Sequence, residues 1–273
     1  MDNVHIPVTS PVQVAPETFL IPNLAPGGED GVYLPVNSLL IRGDEPIVVD
    51  TGAPVHRQHW LEMVFGLVEP EDIRWVFLSH EDGDHVGALD TVLDAAPNAT
   101  LVMNFFSTER RALETPVPLE RSIWREAGET FDAGDRRLRL FVPPIFDGPA
   151  TRGLYDEKTG VMWAVDSFAA LTAGAVHHVE DVPQALYDET FLLFNSMVSP
   201  WHAWLDPARY DAHVDTVEAL APRVVVTAHG PILTGDAIHD AFDRVRTLAG
   251  QPRLAGPGQE VLDELLASVI AAA

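Results

Sequence analysis

An α/β fold in layers, a β-sandwich flanked by helices, is what this chain of 273 residues predicts. Strand-like runs dominate each half and helical segments follow them, which suits αβ/βα layering better than a singly alternating strand–helix series. Short apolar runs bounded by turn signals supply the strands, and segments with apolar residues three and four apart supply the helices. The composition, 47% hydrophobic and 21% charged, is that of an ordinary globule. No internal repeat, low-complexity segment or linker divides it. We expect a single domain over residues 1–273, with its core at about 30–250 and a C-terminal helix at about 258–272.

Thr18–Ile21 is the first strand candidate. Val32–Ile41 reads as one longer strand, which Pro35 marks as edge or bulged because proline cannot donate to a ladder. Gly43-Asp44 signals a hairpin into the short buried strand Ile47–Asp50, which ends at Thr51-Gly52. His56–Leu67 has helical spacing at Trp60, Met63, Val64 and Leu67. Trp75–Leu78 is a buried strand, and Asp84–Leu89 reads as the start of a helix reaching about Ala96. Thr100–Met103, Leu138–Val142, Gly153–Tyr155, Val161–Val165 and Val224–Thr227 are further strands, with Asp132–Asp135 a turn. Phe168–Trp204 reads as less regular. Asp206 caps a helix to Leu220, with Pro207 at its first position. Helices at Asp236–Leu248 and Gln259–Ala272 close the chain, and the run Leu265–Ala272 reads as a packing tail.

A net charge of −24 argues against a nucleic-acid partner, which needs basic patches against phosphate, and disfavours anionic membranes. The absence of cysteine excludes disulfides, thiolate catalysis, iron–sulfur clusters and cysteine-held zinc. No apolar stretch is long enough to span a bilayer. Met1–Pro7 has neither the basic nor the apolar region of a secretory signal. A cytoplasmic protein is expected.

The chemistry is concentrated after Leu78, in Ser79-His80-Glu81-Asp82-Gly83-Asp84-His85-Val86-Gly87. His80, Asp82, Asp84 and His85 can each bind a metal and lie within six residues. Residues at a strand's C-terminal end face the crevice where open α/β sheets place their sites. Two imidazoles and two carboxylates are costly to bury there without a compensating cation. The plainer alternative is an acidic turn, with Asp84 capping the helix. Two other strands end on similar residues: Val161–Val165 on Asp166, and Val224–Thr227 on Ala228-His229-Gly230-Pro231. Each of these is either a metal ligand or an ordinary strand-end residue.

His80-x-Asp82-x-Asp84-His85 resembles the His-x-His-x-Asp-His signature of the metallo-β-lactamase superfamily, with aspartate at the second histidine position. Asn37–Ile41, Val48-Val49-Asp50-Thr51-Gly52, Asp166 and His229 follow in superfamily order. The resemblance implies a four-layer αβ/βα sandwich holding two metal ions per chain. It also implies that Asp50 supports the ligands from behind, that Asp166 bridges the metals and that His229 is the last ligand. The third family ligand is normally a histidine in a Pro-Gly-His-Thr-Pro-Gly turn. The aligned residue here is Asp147, in Pro144-Ile145-Phe146-Asp147-Gly148-Pro149, either a ligand or a turn residue. The implied set is His80, Asp82 and Asp147 on one metal, Asp84 and His229 on the other, and Asp166 between them. His85 either ligates or donates a hydrogen bond.

The His-x-Glu-x-Asp-His variant, and the wording His229-Gly230-Pro231-Ile232, resemble the flavodiiron proteins and their single-domain relatives, the oxygen-binding di-iron proteins. Asp82 stands where they have glutamate, and Asp147 where they usually keep histidine. Exchanging imidazole for carboxylate adds charge and hard oxygen donors, which favours iron or manganese over zinc. Two iron ions are expected, with zinc or manganese as alternatives. The chain ends soon after the metal region, so no flavodoxin-like domain and no FMN are expected. Electrons would come from a separate protein, and a basic one would be attracted to this acidic surface. Many members are dimers in which one subunit closes the other's site, which implies a homodimer.

The expected function is that of a non-haem di-iron protein that binds, senses or reduces dioxygen or a related small diatomic. The alternative is a dinuclear zinc hydrolase of an ester, lactone or thioester, in which metal-bound hydroxide attacks the carbonyl. A third is a metal-depleted binding module. Phe105, Phe106, Phe146, Trp201 and Trp204 either wall a dry pocket or belong to the ordinary core. His177-His178 read as solvated and His202 as packed, while His5, His56, His59, His213 and His239 have no ligand partners at useful spacing. Arg110-Arg111 is either plain surface or a contact for an acidic substrate.

Overall fold

A computed structural model describes residues 6–254 and 256–271. The expectation for His5, most of Met1–Pro7 and the last residue of the tail fall outside the described residues. The first half runs β1 (Val12–Ala15), β2 (Thr18–Ile21), β3 (Leu24–Pro26), β4 (Val32–Pro35), β5 (Ser38–Ile41), β6 (Ile47–Val49), α1 (Arg57–Phe65), β7 (Trp75–Phe77), α2 (Leu89–Ala95), β8 (Thr100–Met103), α3 (Phe105–Arg111) and β9 (Ser122–Trp124). The second runs β10 (Thr130–Ala133), β11 (Arg136–Phe141), β12 (Gly153–Asp156), β13 (Val161–Trp163), β14 (Thr172–Ala173), α4 (Gln184–Val198), α5 (Pro207–Glu218), β15 (Val224–Val226), β16 (Leu233–Thr234), α6 (Asp236–Arg246) and α7 (Gln259–Ala271).

Two sheets form the middle, ordered β1-β2-β5-β6-β7-β8-β9 and β10-β11-β12-β13-β15-β16, and β14-β4-β3 make a third, small sheet. Side chains alternate across each strand, and the central strands are apolar on both faces, so they divide their residues between two cores. Ile47, Val49, Phe77 and Val102 from the first sheet meet Leu138, Leu154, Trp163 and Val226 from the second. Val48, Val76 and Leu101 turn the other way, against Trp60 and Val64 of α1 and Leu89 and Val92 of α2. Met162, Val225 and Leu233 likewise face Phe191 of α4, Val214 of α5 and Phe242 of α6. This is the expected αβ/βα sandwich of four layers.

Several elements differ from the sequence reading. Val32–Ile41 is two strands in different sheets, broken at Val36-Asn37, where Asn23 and Val36 exchange backbone hydrogen bonds and Asn37 N donates to Ala228 O. The helix after the metal motif begins only at Leu89, and its N-cap residue Ala88 makes no side-chain cap bond, so Asp84 is no helix cap. The region Phe168–Trp204 contains the 15-residue helix α4, whose buried face is Tyr187, Thr190, Phe191, Asn195 and Ser196. Asp206 does cap α5, accepting from Arg209 N at 2.9 Å. In α7, Val261, Leu262 and Leu266 are exposed, so the part of the tail with described side chains does not pack into the core. Among the described residues, no helix is long and apolar enough to cross a membrane.

Candidate metal centre

Strand direction brings the polar residues to one edge. β6 and β7 are parallel, so Asp50 and the loop from Ser79 to Gly87 leave the first sheet side by side. β13 and β15 are parallel, so Asp166 and His229 leave the second sheet together. β11 lies two antiparallel steps from β13, so Asp147 follows it at that same edge.

Close backbone contacts fix these loops. Thr51 donates to His85 O through N at 2.7 Å and Oγ1 at 3.0 Å, and Gly87 N donates to Gly52 O at 2.7 Å. A Cβ on Gly87 would lie 2.3 Å from the carbonyl carbon of Ala53, so the approach requires glycine. Asn37 Nδ2 donates to Thr227 O at 2.9 Å and Gly230 O at 3.1 Å, tying the first sheet to the loop of His229. Val165 and Phe168, on either side of Asp166, adopt φ of 58° and 66°. Left-handed backbone at such residues costs on the order of 1–3 kcal/mol each and persists only where neighbours enforce it. Here Thr227 Oγ1 and Ala228 N each donate to Val165 O at 2.7 Å, and Asn195 Oδ1 accepts from Phe168 N at 2.7 Å.

The three imidazoles are held from behind through Nδ1. His85 Nδ1 lies 3.0 Å from Asp50 Oδ2, and His229 Nδ1 lies 2.9 Å from Pro35 O. His80 Nδ1 lies 3.1 Å from Ser79 Oγ, which is itself 2.6 Å from Asp50 Oδ2. A hydroxyl has one proton, so Ser79 gives it to Asp50 and accepts from His80. With Nδ1 engaged, Nε2 is the ring nitrogen aimed at the centre in all three. His80 Nε2 is 3.6 Å from Asp166 Oδ2, 3.8 Å from Asp147 Oδ2 and 3.9 Å from Asp82 Oδ2. On the other side, Asp166 Oδ1 faces His85 Nε2 at 3.2 Å and His229 Nε2 at 3.4 Å. Asp84 Oδ2 completes this side, 3.1 Å from His229 Nε2 and 4.0 Å from His85 Nε2.

These residues fit two cations. Bonds of about 2.1 Å set two donors about 3.0 Å apart at a right angle and about 4.2 Å apart when opposite, and the separations above span that range. Asp166 Oδ1 is buried and has no well-directed hydrogen bond among the described residues, although two ring nitrogens face it. Asp147 Oδ1 accepts from Thr151 Oγ1 at 2.8 Å, which leaves Oδ2 toward His80. Electrostatics agree. Burial, reinforced by the facing Asp147 carboxylate, raises Asp82 against the pull of His80. Burial would raise Asp166 as well, but His80 and His85 hold it well below the usual carboxylate range, and His229 and His85 do the same for Asp84. Burial would lower His85 and His229, yet Asp166 and Asp50 hold His85 well above its ordinary value, and Asp84 and Asp166 raise His229. Without a metal the cluster balances its carboxylates with protons, and a cation can take their place.

All seven residues expected at the metals, and Asp50 behind them, converge here. Glu81 instead binds Arg110, at 2.5 Å, at the rim. Arg111 is buried and bonds both oxygens of Asp90 at 2.9 Å, so it is structural. His202 is packed between Ser196 Oγ and Leu248 O, as expected. His177 and His178 are half-buried beside Ile232 rather than solvated. The ring nitrogens of His56, His59 and His213 face backbone carbonyls, and His239 pairs with Glu218. Phe105, Phe106 and Trp204 are exposed rather than core, and Trp204 also edges the cavity next to Phe146 and Trp201. Phe146 and Trp201, with ring centroids 5.6 Å apart, line a cavity of about 520 Å³ beside the Asp147 loop. Sequence reasoning gave no role to Ser79, Trp163, Asn37 or Asn195. Only Ser79 carried a local signal, its place next to His80.

The family model described as metallo-beta-lactamase superfamily matches residues 31–184. The chain belongs to the metallo-β-lactamase superfamily. Among relatives of this superfamily member, a putative diflavin flavoprotein A 1 from Nostoc sp. is 30% identical over 201 residues, covering 72% of this chain and 33% of its own. A type A flavoprotein from Rhodobacter capsulatus is 24% identical over 271 residues, covering 92% of this chain and 59% of its own. Rubredoxin oxygen:oxidoreductase from Desulfovibrio gigas superposes with a TM-score of 0.75 at 16% identity, covering 87% of this chain and 61% of its own. The flavodiiron protein from Giardia intestinalis gives 0.73 at 17% identity, covering 88% and 59%. At such identities the structural likeness is one of fold. The chain spans about a third of the Nostoc relative and about three fifths of the solved proteins, the metallo-β-lactamase part of each.

Proposed function

We propose that this superfamily member is a non-haem di-iron protein that binds or reduces dioxygen or a related small diatomic, with electrons supplied by a separate protein. The observation that carries this reading is Asp166, whose two oxygens face two separate groups of histidine Nε2 atoms. His80, Asp82 and Asp147 would hold one metal, Asp84, His85 and His229 the other, and Asp166 both. Four carboxylates against three imidazoles form a hard, anionic donor set that favours iron or manganese over zinc. The name of the similar Desulfovibrio gigas enzyme supports oxygen as the substrate class.

Two irons bound there would supply the open positions for dioxygen and would pass on the electrons delivered by the separate protein. The chain's own contribution is orientation. Asp50 and Ser79 aim His85 and His80, Pro35 O aims His229, and the bonds to Val165 O keep Asp166 between them. Neither a flavin site nor a membrane contact is part of this proposal, and a cytoplasmic homodimer is.

Metal analysis of protein grown with ample iron tests it. About two irons per chain is expected, the occupancy of a two-metal site, followed by oxygen uptake on chemical reduction. Zinc that iron cannot replace, together with turnover of esters or lactones, would overturn it in favour of hydrolysis.

A further inference from the structure

Asp50 is fully buried and accepts four hydrogen bonds: from Ser79 N at 2.8 Å, Ser79 Oγ at 2.6 Å, His85 Nδ1 at 3.0 Å and Trp163 Nε1 at 3.0 Å. Three of these donors belong to the loop of the first sheet. The indole of Trp163 is the one that arrives from the second sheet. It lies on β13, three residues before Asp166, and its ring is fully buried between the sheets. The bond therefore closes a circuit. Trp163 grips Asp50, Asp50 grips His85 from behind, and His85 Nε2 faces Asp166 Oδ1 at 3.2 Å, on the strand end from which Trp163 came.

The packing around Trp163 between the sheets is apolar, and apolar contacts are non-directional: they resist separation of the sheets but set their sliding poorly, while the polar ties from Asn37 to Thr227, Ala228 and Gly230 hold the His229 loop rather than Asp166. A hydrogen bond between a rigid indole and a carboxylate is directional. A buried indole N–H also needs some partner, so plain core filling is the competing account. The two accounts differ in what they predict for each metal.

We propose that Trp163 is a positioning residue for the two-metal centre, fixing the second sheet's Asp166 against the first sheet's His85 through Asp50. The proposal rests on the two-metal reading. His80 reaches Asp50 only through Ser79, so its side depends less on the indole. Loading of the metal on the side of Asp84, His85 and His229 is what Trp163 governs.

The test is a titration of metal-free protein with Co(II), whose visible bands report each equivalent, against a competing chelator. In Trp163→Phe the ring remains and the N–H is lost. The first equivalent is expected to bind within about twofold of the unsubstituted protein. The second is expected to weaken about tenfold, the lower end for losing a group behind a metal ligand. Two equivalents with unchanged affinities overturn the role of Trp163. So does equal weakening of both alongside a lowered melting temperature, which is the signature of core filling. Should the unsubstituted protein bind fewer than two equivalents, the two-metal reading falls and this role with it. A second measurement needs no substitution at 163. In protein carrying ¹⁵N-indole tryptophan, assigned by replacing the other five tryptophans singly, the Trp163 resonance is expected to move with the second equivalent. A resonance that never moves overturns the proposal.

Discussion

Stripping the metals should destabilise the protein strongly, and more so as pH rises. A ligand at one hundred times its dissociation constant adds about 2.7 kcal/mol to folding, so two such metals add about 5 kcal/mol. At about 2–4 °C per kcal/mol for a domain near this size, the melting temperature should fall by about 10–20 °C on chelation and return on reloading. The pH dependence follows from the metal-free cluster, where His85 and His229 are raised above their ordinary value. A raised group contributes stability that is fully present below its unfolded pKa, about 6.5, and is lost as pH climbs through the folded value. The metal-free protein should weaken over that climb. The loaded protein, with metal in place of those protons, should not. Melting curves of both forms from pH 6 to pH 9 measure the gap. A gap that closes with rising pH, or one below about 3 °C throughout, refutes the idea that these imidazoles give up protons to metal.

Three substitutions probe separate parts of the structure. Asp147→Ala removes the carboxylate 3.8 Å from His80 Nε2, and metal content is expected to fall from two per chain to one, with the melting temperature of the metal-free form little changed. Gly87→Ala forces a Cβ to within 2.3 Å of backbone at Ala53, and overpacking of this kind costs about 1–3 kcal/mol, read as a shifted urea midpoint with reduced metal retention. Asp156→Ala leaves the buried guanidinium of Arg136 without the carboxylate 2.6 Å away, and a loss of about 3–5 kcal/mol in denaturant unfolding is expected, with metal content of the folded fraction unaffected.

The residues that converge at this centre were legible in the sequence because the fold makes position along a strand equivalent to position in space. Parallel pairs such as β6–β7 and β13–β15 send their C-terminal ends to the same edge, so Asp50, Asp166 and His229 could be read one strand at a time. The supports could not be read that way. Asn37 acts on Thr227, 190 positions further along, and Trp163 acts on Asp50, 113 positions back, so no local pattern marks either. The break in Val32–Ile41 has the same origin. The run is apolar on both sides of Asn37-Ser38, and distant backbone partners at Asn23 and Ala228 divide it.

Helix α4 was obscured by its own function. Two residues of its buried face, Thr190 and Asn195, are polar because they bind the backbone after Asp166: Thr190 Oγ1 accepts from Leu171 N at 3.0 Å, and Asn195 holds Phe168 and Ala169. Polar residues at core positions blur the period that announces a helix. Asp147 shows the converse. The sequence offers a choice between turn residue and ligand, and the carboxylate has an oxygen for each part. Oδ1 takes the Thr151 hydroxyl within its own loop, and that bond is what turns Oδ2 toward His80. The local role leaves the other oxygen for the proposed one, so a turn at Asp147 does not count against its proposed place at a metal.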